Sequence, residues 1–258
     1  MAVIDAVHSR LALTVCGLMA VILAACNDTG PAAPQALECA DAIAVRVAGT
    51  GKCLKPGDTF RDSALAPEMV IIPAGAFEFA GPDGTGGGNE GEGAGLEVAI
   101  AQPFAAARTE ITFEHWQACT EAGVCSGDKR SDHGWLRSDR AIIDLSWGQV
   151  RGYLDWLSRE TGEEYRRLTE VEWEYAARTG AARDFGLDHL RGTNWEWVGD
   201  CRQTEFEPRQ GDGSRFNQGN CLRRVRRGGP WREAYRYDTS APITYAYAGL
   251  RIARNLSR

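Results

Sequence analysis

An α+β fold, loop-rich with short helices and small antiparallel sheets, is predicted by three features of the sequence. Three helix starts with capping signatures fall in the middle of the chain, at Thr112, Ser146 and Thr169. Short strands rich in aromatic residues and arginine follow them instead of alternating with them, which argues against βαβ units. Thirty glycines in 258 residues exceed the usual share of about 7% and require many turns. Hydrophobic content of 43% and charged content of 25% fit a soluble globular protein, and exclude a mainly disordered chain or a multi-pass membrane protein. A net charge of -6 argues against a nucleic-acid partner.

The first residues read as an export address. Leu11–Ala25 is apolar apart from Thr14, and seventeen uncharged residues separate Arg10 from Asp28. That is short of the about 20 residues a spanning helix needs, and it suits the core of a secretory signal. The run ends Leu23-Ala24-Ala25-Cys26, which resembles a bacterial lipobox, where small residues enter a protease groove and the cysteine thiol takes a diacylglycerol. The alternatives are a plain signal peptide with an accidental cysteine, or a short anchor helix. Residues 1–25 are therefore expected to be a lipoprotein signal peptide, with Cys26 as the lipidated N-terminus. Two or three acyl chains suffice for stable anchoring. The expected location is the bacterial cell envelope, facing the periplasm, with the lipid as the membrane contact.

Six further cysteines remain, Cys39, Cys53, Cys119, Cys125, Cys201 and Cys221. An even number in an exported chain suggests disulfides, and six cysteines allow fifteen connectivities. The shortest loops give Cys39–Cys53, Cys119–Cys125 and Cys201–Cys221. No C-x2-C spacing is present, so a zinc site is disfavoured.

The elements follow in order. Residues 26–66 read as a polar, proline-containing tether and a small disulfide-closed prelude; residues 67–258 read as the main domain. Met69–Ala80 opens that domain as a strand pair, and Gly81–Gly95 holds eight glycines in fifteen residues, an exposed loop. It lacks the Lys-Ser/Thr ending and following helix of a phosphate cradle. Leu96–Ala101 alternates as a strand. Thr112 caps a helix carrying Trp116 and Cys119 that stops near Gly123. Ser146 with Gln149 forms a capping box, followed by Trp147, Val150, Leu154 and Leu157 at helical spacing and ended by Gly162. Thr169 with Glu172 forms another, leading to Gly180. Trp195–Val198, Arg224–Arg227 and Ala248–Arg254 read as strands.

Seven stretches carry a resemblance in a fixed order. They are Met69–Phe77, Glu110–Phe113, Leu145–Trp147, Thr169–Arg178, Trp195–Val198, Arg227–Trp231 and Gly249–Arg251. Together they resemble the sulfatase-modifying-factor domain of formylglycine-generating enzyme, a variant of the C-type lectin fold, over roughly Pro67–Asn255. The resemblance implies that fold, and it implies copper held by two C-terminal cysteines with a serine after Arg-Gly-Gly. Here the serine position is Pro230, the second cysteine position is Ala234, and no cysteine follows Cys221. A Cu(I) site needs soft thiolates, so the copper reaction is not expected. Between Arg178 and Trp195 the family's longer insert and its Tyr-Pro-Trp-Gly turn are missing. The family's calcium-binding asparagine is Thr193 here, whereas Glu196 matches and Asn194 sits one place late, so Asn194 and Glu196 are the candidate calcium ligands.

The resemblance also implies that the C-terminal third lines a substrate groove. Arg227, Trp231, Arg232, Tyr235, Arg236, Tyr237 and Arg251 are the candidate groove residues, of the types enriched at binding hot spots. Strand arginines paired with Glu or Asp are the competing structural explanation. Glu170, Glu172 and Glu174 suit a helix N-terminus and nearby arginines better than acid–base catalysis. His115, His133 and His189 are too scattered for a metal motif, and no catalytic serine motif is present. No catalytic residue or confident cofactor is assigned. Two functions remain open: a module binding a peptide, protein or glycan, and a periplasmic oxidoreductase with iron or copper on non-cysteine ligands.

Overall fold

The computed structural model describes residues 38–79, 96–126, 139–178, 184–190, 194–202, 214–215, 217, 220–229, 236–240 and 246–256. Cys26, the whole glycine-rich loop Gly81–Gly95, His133, Thr193 and residues 230–235 lie outside them. The chain begins with a hairpin of β1 (Ile43–Val47) and β2 (Thr50–Leu54), closed by the Cys39–Cys53 disulfide. Next come β3 (Thr59–Phe60), β4 (Met69–Ile72), β5 (Gly75–Phe79), β6 (Leu96–Ile100) and β7 (Phe104–Ala107). The middle holds α1 (Phe113–Glu121), α2 (Trp147–Thr161), β8 (Tyr165–Arg167) and α3 (Glu170–Arg178). The end holds β9 (Trp195–Arg202), β10 (Asn220–Gly228), β11 (Arg236–Ser240), β12 (Ala248–Gly249) and β13 (Ile252–Asn255). The predicted α+β class is therefore the observed one.

A five-stranded antiparallel sheet, ordered β3-β4-β7-β13-β8, forms the middle layer. Successive side chains of a strand point to opposite faces, and here both faces are covered. Met69, Ile71, Ala105, Ala107 and Ile252 join one core with residues of α1 and α2; Val70, Ile72, Phe104, Ala106 and Ala253 join a second with α3, β5 and β6. Burial on both sides explains why β4 reads Met-Val-Ile-Ile without polar alternation. It also explains why the alanines of β7, poor strand formers by themselves, stand in a sheet: small side chains let both layers approach. A second sheet, β11-β10-β9-β12, is antiparallel except for its β12–β9 pair.

The residues expected as a separate prelude are built into the first core, since Val45, Val47 and Phe60 are buried there and Ala36–Arg258 forms one compact unit. The disulfides Cys119–Cys125 and Cys201–Cys221 are also present, so the short-loop pairing is the observed one. Among the described residues no helix is long and apolar enough to cross a membrane.

Each helix start follows its local sequence. Ser146 accepts from the Gln149 amide, and Gly162 ends α2 at a positive φ of 73°. Thr169 Oγ1 accepts from the Glu172 amide at 3.1 Å, and Glu172 Oε2 accepts from the Thr169 amide at 2.8 Å. At α1 the third helical residue is His115, whose Nδ1 accepts from the Thr112 amide at 3.2 Å. A histidine can fill this role only while Nδ1 is unprotonated. Burial lowers the His115 pKa below 6.5, helped by the charge of Arg61.

A histidine depressed in the folded state contributes stability that is complete above the unfolded value and is lost as pH falls through it. Stability should thus decline by about 1 kcal/mol, the value of a helix cap, as pH falls below about 6.5. His115→Gln, which keeps an acceptor, should remove that component. Urea midpoints of both proteins between about pH 7 and pH 5 test this; parallel curves would disprove it.

Candidate functional site

The motifs that carried the resemblance converge on a buried arginine. Arg251 precedes β13 and has no exposure. Its Nε donates to Glu196 at 3.1 Å, Nη1 to the carbonyls of Ala107 and Arg108 at 2.9 and 2.7 Å, and Nη2 to the carbonyl of Asp188 at 2.7 Å. Nη2 also lies 3.1 Å from Glu196 Oε1, so every nitrogen of the guanidinium faces an acceptor. Trp173 of α3 donates from Nε1 to Glu196 Oε2 at 2.7 Å. Arg251 thereby joins the end of β7, β9 and α3.

The C-terminal arginines divide in the same way. Arg227 is 2% exposed and pairs with Glu170 and Glu174 of α3, while its guanidinium carbon lies 5.6 Å from the Trp173 ring. Arg227 and Arg251 are therefore internal struts and do not line an open groove. For these two the competing explanation, strand arginines paired with Glu, is the observed one, although they face inward. Arg236 and Tyr237 stand on β11, opposite Arg227 and Arg226. Trp231, Arg232 and Tyr235 lie outside the described residues. Gly228-Gly229 passes this point with φ of 82° and 96°, and a Cβ on Gly229 would lie 2.5 Å from the Trp195 ring.

Neither metal implied by the resemblance fits the side chains present. All six cysteines beyond Cys26 are oxidised in disulfides, and a disulfide sulfur is not a thiolate ligand for Cu(I). The Glu196 oxygens accept from Arg251 and Trp173, and Asn194 Nδ2 donates to Glu110 at 3.3 Å. The two candidate calcium ligands thus face different partners, and calcium needs six to eight oxygens that the pair does not present. Among the described residues no group of three or more His, Cys, Asp or Glu could hold a metal ion. His115 belongs to the α1 cap; His189 Nδ1 lies 3.9 Å from Glu110 at a smaller cleft of about 500 Å³.

The larger cleft, about 920 Å³, opens where α2, β8 and β10 meet. Trp147 is the first residue of α2, fixed there by the Ser146 cap. Two guanidinium carbons lie over its ring, Arg167 of β8 at 3.8 Å and Arg224 of β10 at 4.1 Å from the centroid. Such contacts contribute about 0.5–2 kcal/mol each, more when dry. Arg167 Nη2 also donates to the Trp147 carbonyl at 2.5 Å. Burial, then the charges of Arg224 and Arg215, lowers the Arg167 pKa to about 9, and burial lowers that of Arg224. Arg166, on the same strand, is instead paired with Glu172 at 2.6 and 2.7 Å. Arg224 was visible in the sequence as one member of an arginine run. Trp147 read only as a helix start and Arg167 carried no signal of its own, because nothing local shows that they meet.

The family of the sulfatase-modifying factor enzyme 1-like domain matches residues 56–185. The chain is similar to the solved structure of PvdO from Pseudomonas aeruginosa, with 28% identity and a TM-score of 0.69 over 78% of this chain and 99% of that one. It is similar in fold to Treponema denticola variable protein 1, with 18% identity and a TM-score of 0.56 over 76% of this chain and 98% of that one. No curated protein matches it.

Burial pushes the Glu196 carboxyl up to about 7, although Arg251 pulls it down. A carboxyl raised above its unfolded value favours folding most at low pH, and the advantage is lost as pH rises toward 7. Arg251→Met should cost about 3–5 kcal/mol, as expected for a broken buried ion pair. Denaturant titrations should show a larger loss near pH 8 than near pH 5, where Glu196 can take a proton. Equal losses at the two pH values would contradict this account.

Proposed function

We propose that this chain, which belongs to the sulfatase-modifying factor enzyme 1-like family, serves as a lipid-anchored binding module of the bacterial cell envelope, without the copper chemistry of formylglycine-generating enzyme. The observation that carries this reading is the pairing of Cys39, Cys53, Cys119, Cys125, Cys201 and Cys221 into three disulfides. It leaves no thiolate downstream of Cys26, and thiolates are what Cu(I) requires. The sequence adds Pro230 and Ala234 at the family's serine and second-cysteine positions. What remains suits recognition: a cleft walled by arginine and tryptophan, residue types enriched where binding energy concentrates.

In this reading the lipid on Cys26 holds the protein at the membrane with its domain in the periplasm. The ligand is a peptide, protein or glycan met in that compartment. The three short disulfide loops suit an oxidising compartment.

Metal analysis of the exported, exhaustively dialysed protein tests the chemistry. Copper and iron are expected well below one equivalent, and near-stoichiometric copper or iron would overturn the binding-module reading in favour of an oxidoreductase. Cys26→Ser should move the protein from the membrane to the soluble periplasmic fraction; a variant that stays membrane-bound would exclude the lipid anchor.

A further inference from the structure

We infer that the cleft between α2, β8 and β10 binds a doubly charged tetrahedral oxyanion, a phosphate monoester carried by the ligand, on Arg167 and Arg224. The inference rests on the reading of this cleft as the binding site and names the group that it recognises.

Four other arginines of the described core are matched to carboxylates. Arg166 has Glu172, Arg227 has Glu170 and Glu174, Arg251 has Glu196, and Arg254 has Asp62 and Glu163. Arg167 is also buried, 7% exposed, yet among the described residues it has no carboxylate within ion-pair distance. Among the described residues its Nε is buried without a hydrogen-bond partner, and so is that of Arg224. Arg224 spends Nη1 on the Cys201 sulfur at 3.1 Å, a weak acceptor, and Arg215 spends Nε on the Asn217 side chain at 2.6 Å. Buried charge without a counter-charge is costly, and like charges set side by side add to that cost. Asp200 attracts Arg224 through space but does not touch it.

The charge of the cleft sets the valence of its ligand. Among the described residues its walls hold Arg151, Arg166, Arg167, Arg215 and Arg224 against Asp155, Glu164 and Glu172, an excess of two positive charges. Those carboxylates already have partners: Asp155 faces Arg151, Glu172 holds Arg166, and Glu164 accepts from Asn255. One dianion neutralises the excess, whereas a carboxylate supplies half of it. Guanidinium forks match the oxygens of phosphate and sulfate. Trp147 is not available as a stacking platform for a sugar or a base, because two guanidinium groups already lie over its ring; its role is to hold the arginines apart from water and in place.

The test is calorimetric titration of the full-length protein with inorganic phosphate, sulfate and acetate at constant ionic strength. One saturable site for phosphate and for sulfate is expected, with acetate much weaker. Lowering the pH through the second ionisation of phosphate should weaken phosphate and leave sulfate unchanged. Arg224→Met should weaken both dianions about tenfold or more, the value of a charge-assisted contact, with Arg224→Lys between it and the wild type. Arg159→Met, an exposed charge on α2 outside the cleft, should change nothing. Absence of saturable phosphate and sulfate binding, acetate binding as tightly, or equal effects of Arg224→Met and Arg159→Met would each overturn the inference. Phosphate monoesters on soluble saccharides or peptides should then compete with the inorganic ion, and singly charged sulfate esters should compete much less. Competition only by vesicles of anionic phospholipid would overturn the assignment to a soluble ester. Stoichiometric copper or iron in a protein that still binds phosphate through Arg224 would remove the non-catalytic reading and leave the oxyanion site standing.

Discussion

A guanidinium cannot shed its charge inside a protein, so an arginine with no exposure obliges its surroundings to supply acceptors. Arg251 sets that requirement for this fold. Its acceptors come from the carbonyls that end β7, from Asp188, and from the carboxylate of Glu196 on β9, which Trp173 of α3 also holds. Elements far apart in sequence must meet at these distances or leave a buried charge bare. Such a centre is not a source of large net stability, because desolvation offsets most of the attraction. It acts on geometry, since few arrangements of the two sheets and α3 satisfy all the donors together.

The same logic repeats at Arg227 with Glu170 and Glu174, and at Arg254 with Asp62 and Glu163. Each pair joins different layers: β10 to α3, and β13 to the loop after β3. The acidic run of α3 thereby gains a double use. Glu172 closes the capping box and clamps Arg166, while Glu170 and Glu174, four residues apart on one face, receive Arg227. One turn of helix spacing thus becomes a connection between the helix and the second sheet.

These connections explain which parts were legible in the sequence. Helices announce themselves locally: Ser146 with Gln149 and Thr169 with Glu172 carry their own start signals, and Gly162 its own stop. The short-loop disulfides were equally local. Strand β7 gave no such sign, because Phe-Ala-Ala-Ala becomes a strand only when both faces of the sheet are covered. Strand β8, three residues with two arginines, is set by its neighbours on β13 and not by propensity. The hairpin β1–β2 read only as a disulfide-closed prelude because its contribution, Val45 and Val47 in the main core, depends on residues elsewhere. For the site, residue types were readable but orientation was not. Arg227 and Arg251 share their composition with exposed binding arginines, and only the carboxylates opposite them show that they face inward.

The contrast between paired and unpaired arginines is also why the domain can separate its scaffold from its chemistry. The motifs that define the family here, Thr169–Arg178, Trp195–Val198 and Gly249–Arg251, supply Glu172, Glu196, Trp173 and Arg251, and all of these are engaged inside the protein. None of that network involves a cysteine. The cleft over Trp147 stands apart from that network on the faces of α2, β8 and β10, and its residues Arg167 and Arg224 are not consumed in holding layers together. A fold that matches Arg227, Arg251 and Arg254 to carboxylates can keep a small unmatched set at one opening, held in place by Trp147 and the wall of β8. Arg166 and Arg167 make the point within one strand: the first has Glu172 and serves the fold, and the second has no carboxylate and is left for a ligand to neutralise.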